Sequence, residues 1–243
     1  VDALAQAFNQ MARDLLRADQ LRRNMTADIA HELRTPLTII KGKLEGILDG
    51  IYPGTAEHIA PVLEEANLLE RLIDDLRLLS LAEAGQLPLH REEVDVRELL
   101  GSVRLSFARE SARHGVDLTV DVVPDTPAVD VDAQRMQQVL GNLVANSLRY
   151  TPQSGRIELR AAPQDHTVRI LVHDTGAGIA PDELPHIFDR FWRSDKARSH
   201  TAAGVGLGLA IARQLVEAQG GTISAKSEPG QGTTMIIELP AVS

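Results

Sequence analysis

The sequence has no cysteine, which excludes a disulfide framework and any thiolate metal site, and is compatible with a reducing compartment. Aromatic residues make up only 3%, a composition that suits helix bundles packed with Leu, Ile, Val and Ala better than an all-β sandwich. Positive charge is also scarce: 25 Lys and Arg stand against 34 Asp and Glu, a formal net charge of −9. Non-specific nucleic-acid binding needs a cationic surface to displace counterions from phosphates, so no nucleic-acid partner is expected. Charged residues interrupt every apolar stretch before the roughly 18 residues a transmembrane helix needs, and the acidic, polar beginning is no signal peptide. What is present, 43% apolar and 24% charged residues over 243 positions, is ordinary for a globular chain of one large or two modest domains. The chain starts abruptly inside a helical pattern and reads as a piece of a longer protein.

Leu4, Phe8, Met11, Leu15, Ala18, Met25 and Ile29 follow alternating four- and three-residue steps, broken at Arg22. This is a heptad seam, fitting a parallel coiled coil or a plain amphipathic helix. The seam continues through Leu33, Leu37, Ile40, Leu44, Ile47 and Ile51, and Tyr52-Pro53-Gly54-Thr55 then supplies turn chemistry. A second arm carries Ile59, Val62, Ala66, Leu69, Ile73, Leu76 and Ser80 at the same spacing, flanked by Leu63, Leu72 and Leu79. That stripe is wider than one partner helix can cover, which predicts two helical hairpins joined in a dimeric four-helix bundle.

Within the first arm stands His31-Glu32-Leu33-Arg34-Thr35-Pro36. Residues four apart share a helix face, so His31 and Thr35 line up one turn apart. Pro36 removes the amide that would bond the Glu32 carbonyl and crowds it, so a bend is expected beside the histidine. Taken alone, such a histidine is better explained as a solvated or capping residue.

After Ala84-Gly85-Gln86 the texture changes. Strand patterns at 116–122 and 156–160 alternate with helical stretches near 95–113 and 132–150, and hairpin-like pairs fall at 156–174 and 221–239. These predict an α/β sandwich with helices on one face of a mixed sheet. Four elements in it are directed at phosphates or a base. On the helix that Asp132 would cap, Asn142, Asn146 and Arg149/Tyr150 form a face distinct from the apolar one of Met136, Leu140, Leu143 and Ser147. Amide oxygens suit Mg²⁺, although an exposed polar face is the plain alternative. Period two along Val168, Ile170 and Val172 turns Asp174 inward, where a carboxylate needs a donor such as the adenine amine; a turn-capping aspartate is the alternative. Gly204-Val205-Gly206-Leu207-Gly208-Leu209 opens a helix whose amides face an anion. It is neither a Walker A loop nor a dinucleotide fingerprint. Gly230-Gln231-Gly232-Thr233-Thr234 leads into an apolar strand and, taken alone, is better explained as a hairpin turn.

The hexapeptide, with Thr26-Ala27-Asp28-Ile29-Ala30 before it and Leu37-Thr38 after it, resembles the phosphoacceptor box of bacterial two-component sensor histidine kinases. The four later elements resemble, in order, the N, G1, G2 and G3 boxes of that family's ATP-binding domain, which shares the Bergerat-type fold of gyrase B and MutL-like ATPases. Ile187 to Arg193 resembles its F box, and Phe8-Asn9-Gln10-Met11 the end of a HAMP signalling module. The likeness covers about residues 8 to 240. It implies three parts: a HAMP end and coiled-coil linker at 1–22, a dimerisation and histidine phosphotransfer domain at 23–84, and an ATP-binding catalytic domain at 85–243.

Family roles carry over where residues match. The resemblance implies His31 as phosphoacceptor, Glu32 as the residue that activates it, and Thr35 as the residue that orients water for dephosphorylating the regulator. Neutral imidazole is the nucleophile; a Glu32 that accepts from Nδ1–H leaves the Nε2 lone pair free. ATP is then bound by Asn142, Asn146, Arg149, Tyr150, Asp174, Gly176, Gly178, Ile179, Phe188, Arg193, Gly204, Gly206, Leu207, Gly208, Leu209 and Thr234. Mg²⁺ falls to Asn146 and Asn142, with Asn146 the direct ligand. Residues 189–203 would form a mobile lid, and Ala202-Ala203 departs from the family's usual residues at its end. The implied activity is ATP-dependent phosphorylation of His31 in a homodimer, followed by transfer to an aspartate of a response regulator receiver domain and regulator phosphatase activity. The implied location is the cytoplasmic portion of a bacterial inner-membrane protein anchored upstream. Two rivals are a nucleotide-binding pseudokinase scaffold and a Bergerat ATPase of another class.

Overall fold

The computed structural model describes residues 27–194 and 205–242. The HAMP-like end and most of the first heptad seam therefore lie outside the described residues. The chain divides into two compact units, Val1–Leu76 and Arg77–Ser243.

In the first unit, α1 covers residues 27–48 and is followed by a turn and α2 (Ala56–Glu83). The helix runs without interruption through Pro36, which is buried. The hydroxyls of Thr35 and Thr38 donate to the carbonyls of His31 (3.3 Å) and Arg34 (2.8 Å), each one turn back. At the hairpin tip the amides of Ile51 and Tyr52 both donate to the Gly46 carbonyl. The Tyr52 ring then covers Gly46, where a Cβ would meet the ring at 2.6 Å, and stacks on His58 at 5.3 Å. A larger side chain at 46 would have to displace the Tyr52 ring.

The apolar seam divides in two. On α1, Leu33, Ile40 and Ile47 are half-buried while Leu37 and Leu44 are exposed. On α2 the flanking Leu72 is 2% exposed, whereas the seam residues Ile59 and Ile73 are 47% and 56% exposed. The seam on the second arm is therefore not the line buried within the chain, in keeping with a stripe wider than one partner helix can cover. A stripe this broad presents two edges, and a single antiparallel partner covers only one. Burial, reinforced by the neighbouring Asp74 and opposed by Arg71, pushes the Asp75 carboxyl up to about 6.

The second unit begins with the end of α2, where Leu78 and Leu79 are buried. Its elements are β1 (Glu92–Val94), α3 (Val96–His114), β2 (Asp117–Val122), β3 (Val129–Val131), α4 (Ala133–Tyr150), β4 (Arg156–Gln164), β5 (Thr167–Asp174), a 3₁₀ turn (Leu184–His186), α5 (Gly208–Ala218), β6 (Thr222–Glu228) and β7 (Gly232–Pro240). The main sheet has the order β2-β4-β5-β7-β6, and β1 pairs with β3 apart from it. β2 and β4 are parallel and the remaining pairs antiparallel, so the sheet is mixed, as expected.

Strict period two in β4, β5 and β7 turns Ile157, Leu159, Val168, Ile170, Val172, Met235, Ile237 and Leu239 to one buried face. The helices supply Met136, Val139, Leu140, Leu143, Ile211 and Leu215 to the same core, each side chain contributing on the order of 2 kcal/mol. The other face carries ion pairs such as Arg169–Glu238 (2.6 Å) and Arg160–Asp121 (3.2 Å). Their partial exposure limits each to below about 1 kcal/mol.

Asp132 caps α4 as the sequence indicates, Oδ1 accepting from the Arg135 amide at 3.0 Å. Its Oδ2 also accepts from the His90 amide at 2.9 Å, tying the segment that follows α2 to the start of α4. Burial pushes this carboxyl up, but the two amides together with the Arg135 and His90 charges outweigh it and hold the group below 3.8. A depressed carboxyl stabilises the fold above its unfolded value and loses that contribution as pH falls through the folded value. Asp132→Ala is expected to lower stability by roughly 2 kcal/mol at pH 7, from a lost cap and an unpaired amide, with the difference closing below about pH 4. Urea unfolding at pH 7 and pH 3 measures it.

Candidate functional site

Asp174, the last residue of β5, is 6% exposed on the helix-facing side of the sheet. The protein itself supplies donors: Oδ1 accepts from the amides of Gly176 (2.9 Å) and Thr233 (3.2 Å), and Oδ2 from the Ser147 hydroxyl (3.0 Å). The expectation that this carboxylate depends on a ligand for its donor is corrected accordingly. Two oxygens offer about four acceptor positions, so the three bonds fix the carboxylate's orientation and leave capacity for one more donor.

Neither Ser147 nor Thr233 stood among the sequence's candidate residues. Each carried a local signal of needing a partner, but not of which partner. Ser147 shares the apolar face of α4 with Met136, Leu140 and Leu143, and a hydroxyl there needs a partner. Thr233 sits at the inward phase of β7, in register with Asp174. Thr234, the residue chosen from the sequence, occupies the opposite phase: its hydroxyl meets His173 Nδ1 at 2.9 Å on the outer face. The alternation of the strand places Thr233, not Thr234, beside the carboxylate.

The loop after Asp174 is held from two sides. The Ala177 amide donates to the Tyr150 carbonyl at the end of α4, and the Gly230 amide of the β6–β7 turn donates to the Ala177 carbonyl. Gly178 has φ +69°, and a Cβ there would lie 2.1 Å from the Glu228 carbonyl oxygen, so no other residue fits. Next to it, the Ile179 amide donates to Ser227 Oγ at 2.8 Å. Gly176 is buried against the Asp174 carboxylate.

On α4, Asn142 and Asn146 are half-buried one turn apart. Asn142 Nδ2 donates to the Gly208 carbonyl at 3.1 Å, which points its Oδ1 away from that contact. The Asn146 side-chain amide makes no hydrogen bond to any described residue. Two hard amide oxygens on one face fit a divalent cation that also takes phosphate and water oxygens. Arg149 and Tyr150, at the end of the same helix, are exposed.

Opposite stands the start of α5. Unlike α3 and α4, which Asp95 and Asp132 cap, α5 begins after Leu207 with no side-chain cap. Its first amides lack a helical partner and present partial positive charge, the arrangement that holds an anion. The helix starts at Gly208, so Gly206 belongs to the approach; Gly204 and the lid residues 195–203 lie outside the described residues.

Phe191 and Gly206 both have positive φ, 58° and 81°, and the Phe191 amide donates to the Gly206 carbonyl at 3.0 Å. The F-box segment is thereby fastened to the glycine approach. Ile187 is buried and Phe188 and Arg193 are half-buried. Arg190 forms an ion pair with Glu83 at the end of α2, and burial lowers its pKa.

On α1, His31 and Thr35 are exposed and Glu32 is half-buried. No hydrogen bond joins the side chains of His31 and Glu32, because adjacent residues on a helix diverge by about 100°. The contact expected to set the imidazole tautomer is absent within this chain.

Comparison with known proteins gives consistent results. Residues 21–85 match the His Kinase A (phospho-acceptor) domain, and residues 131–243 the histidine kinase-, DNA gyrase B- and HSP90-like ATPase. The signal transduction histidine-protein kinase BaeS of Escherichia coli K12 is 40% identical over 237 residues, 98% of this chain and 50% of BaeS. The Acinetobacter baumannii histidine kinase AdeS superposes with a TM-score of 0.75 at 28% identity, over 88% of this chain and 98% of that one. The histidine kinase ThkA, in a complex with the response regulator protein TrrA, gives a TM-score of 0.70 at 26% identity over 90% of this chain and 61% of that one. The chain thus spans about half the length of BaeS. Carrying a phosphoacceptor module followed by an ATPase module, in a sequence aligned with BaeS almost end to end, the chain belongs to the histidine kinase family.

Proposed function

We propose that this chain binds Mg²⁺-ATP at Asp174, Asn142, Asn146 and the start of α5, moves the γ-phosphoryl group to His31, and passes it to an aspartate of a response regulator. The observation that carries this reading is the pre-oriented Asp174 carboxylate, held by three protein donors beside an uncapped helix start, in a chain that also displays an exposed histidine on a phosphoacceptor helix. A carboxylate oriented this way accepts the exocyclic amine of adenine and repels the carbonyl of guanine. The first α5 amides lie beside Asn142, whose side chain bonds the Gly208 carbonyl, and suit the phosphates. When bound, Mg²⁺ neutralises charge on the phosphate oxygens, and Asn146, with its amide uncommitted, is the residue to hold it. His31 attacks as neutral imidazole, and Glu32 positions the ring once the two side chains turn toward each other.

The transfer and catalytic domains are assigned to 23–84 and 85–243, with a linker at 1–22. Exposed Leu37, Leu44, Ile59, Leu63 and Ile73 form the surface that a second copy covers, completing a four-helix bundle. The ThkA complex supports a response regulator as partner. Membrane anchorage upstream, placing this portion in the cytoplasm, follows by analogy with the family alone.

The experiment is incubation of the chain with γ-labelled ATP. Label that is labile in acid and stable in alkali supports the reading; bound nucleotide with no such label would show a scaffold. Thr35, exposed one turn from His31, is assigned to dephosphorylation of the regulator. Thr35→Ala is expected to slow release of phosphate from a phosphorylated regulator at least tenfold while leaving labelling of His31 within about twofold. An unchanged release rate refutes that role.

A further inference from the structure

The Asn142–Gly208 contact has a counterpart at the far ends of the same two helices. Gln219, the residue after α5, is 0% exposed. Its Oε1 accepts from the amide of Asp132, the cap of α4, at 2.7 Å, and its Nε2 donates to the Leu215 carbonyl at 3.0 Å. Its own carbonyl accepts from Arg91 Nη2 at 3.3 Å, and the same guanidinium donates to the Asp130 carbonyl at 2.8 Å. A buried amide with each group satisfied has one low-energy placement, so this contact is specific as well as cohesive.

The spans between the two contacts match. From Asp132 to Asn142 is ten residues, and from Gly208 to Gln219 eleven, about 15 and 16 Å of helix. The start of α4 meets the end of α5, and the interior of α4 meets the start of α5, so the helices run antiparallel with a rung at each end. Apolar packing between them resists separation but tolerates sliding, because neighbouring ridges are similar in shape. The two polar rungs remove that freedom. One rung touches the nucleotide machinery itself; the other is a helix length away.

We propose that Gln219 is a positioning residue for the nucleotide: by locking the register of α5 on α4, it sets the distance between the Asn142/Asn146 amides and the phosphate-facing start of α5. This rests on the function proposed above. Arg91 extends the lock to the segment that follows α2, so displacement of that segment acts on the same register.

The test compares Gln219→Met, which keeps the volume and removes the acceptor, with Arg91→Met and with Leu118→Ala, a core truncation on β2 that touches neither helix contact. Trinitrophenyl-ATP binding, melting temperature, and KM and kcat for His31 labelling are measured on the whole chain. Gln219→Met is expected to weaken nucleotide binding and raise KM for ATP about tenfold while kcat at saturating ATP stays within about twofold, and Arg91→Met to do the same about threefold. Leu118→Ala is expected to lower the melting temperature and leave KM unchanged. If Gln219→Met lowers the melting temperature without moving KM, or moves KM no more than Leu118→Ala, the residue is merely structural and the inference is wrong. Should Gln219→Met not fold, Arg91→Met decides between the same outcomes. A natural chain that binds no trinitrophenyl-ATP overturns the proposed function itself, a result distinct from a variant that binds as well as the natural chain.

Discussion

Asp174→Asn is expected to weaken ATP and ADP binding by about 100-fold or more while leaving the fold intact. The asparagine oxygen still accepts from the amides of Gly176 and Thr233, and the Ser147 hydroxyl turns from donor to acceptor to meet the new NH₂ group. The loop and strand therefore keep their bonds. What changes is the remaining acceptor position: a donor now faces the donor on adenine, and a charge-assisted bond is exchanged for a repulsive one. A site built to hydrogen-bond one polar group rejects its mismatch far more strongly than an apolar pocket rejects a change of size. Calorimetric titration with ADP and thermal melting in its absence separate the two effects. A large loss of melting temperature without nucleotide would show that the carboxylate serves the fold instead.

His31→Gln is expected to abolish phosphoryl incorporation, a loss of at least 1000-fold, with nucleotide affinity unchanged. Glutamine approximates the reach and polarity of histidine but has no nucleophilic nitrogen lone pair, since its amide nitrogen is delocalised into the carbonyl. Because His31 is exposed, the substitution disturbs no packing and leaves no buried group unpaired. Retained labelling in His31→Gln would move the acceptor elsewhere. The combination of full nucleotide binding with zero labelling also distinguishes this variant from Asp174→Asn, which loses labelling because it loses nucleotide.

Much of this was legible in the sequence, for identifiable reasons. Period two through Val168, Ile170 and Val172 placed Asp174 inward, and Asp132 ahead of the amphipathic stretch at 133–150 marked the start of α4; both hold in the structure. These are local patterns, and burial on one face is enough to enforce them. Two of the three donors to Asp174 were not assigned to it from the sequence because they lie 27 and 59 residues away, and pairing of that kind follows from sheet register and helix placement. Thr234 and Thr233 differ by one phase of the strand, and pairing with β5 turns Thr233 toward Asp174 and Thr234 toward His173. On α2, the heptad spacing correctly indicated a broad apolar stripe but not which edge is covered within a single chain; that depends on the crossing of α1, which no local pattern specifies. Gln219 carried no signal at all: a lone glutamine before Gly220-Gly221 reads as turn chemistry, and its role exists only because α4 and α5 are packed side by side.

If ATP held at Asp174 delivers its phosphoryl group to His31, the phosphoryl group is found on that residue and depends on that carboxylate. The most direct measurement is mapping of the modified residue by mass spectrometry at alkaline pH after incubation with Mg²⁺-ATP, for the natural chain, His31→Gln and Asp174→Asn in parallel. Phosphoryl is expected on the peptide that contains His31 in the natural chain and in neither variant. Phosphoryl on another residue, or on His31 in Asp174→Asn at the natural level, would contradict it.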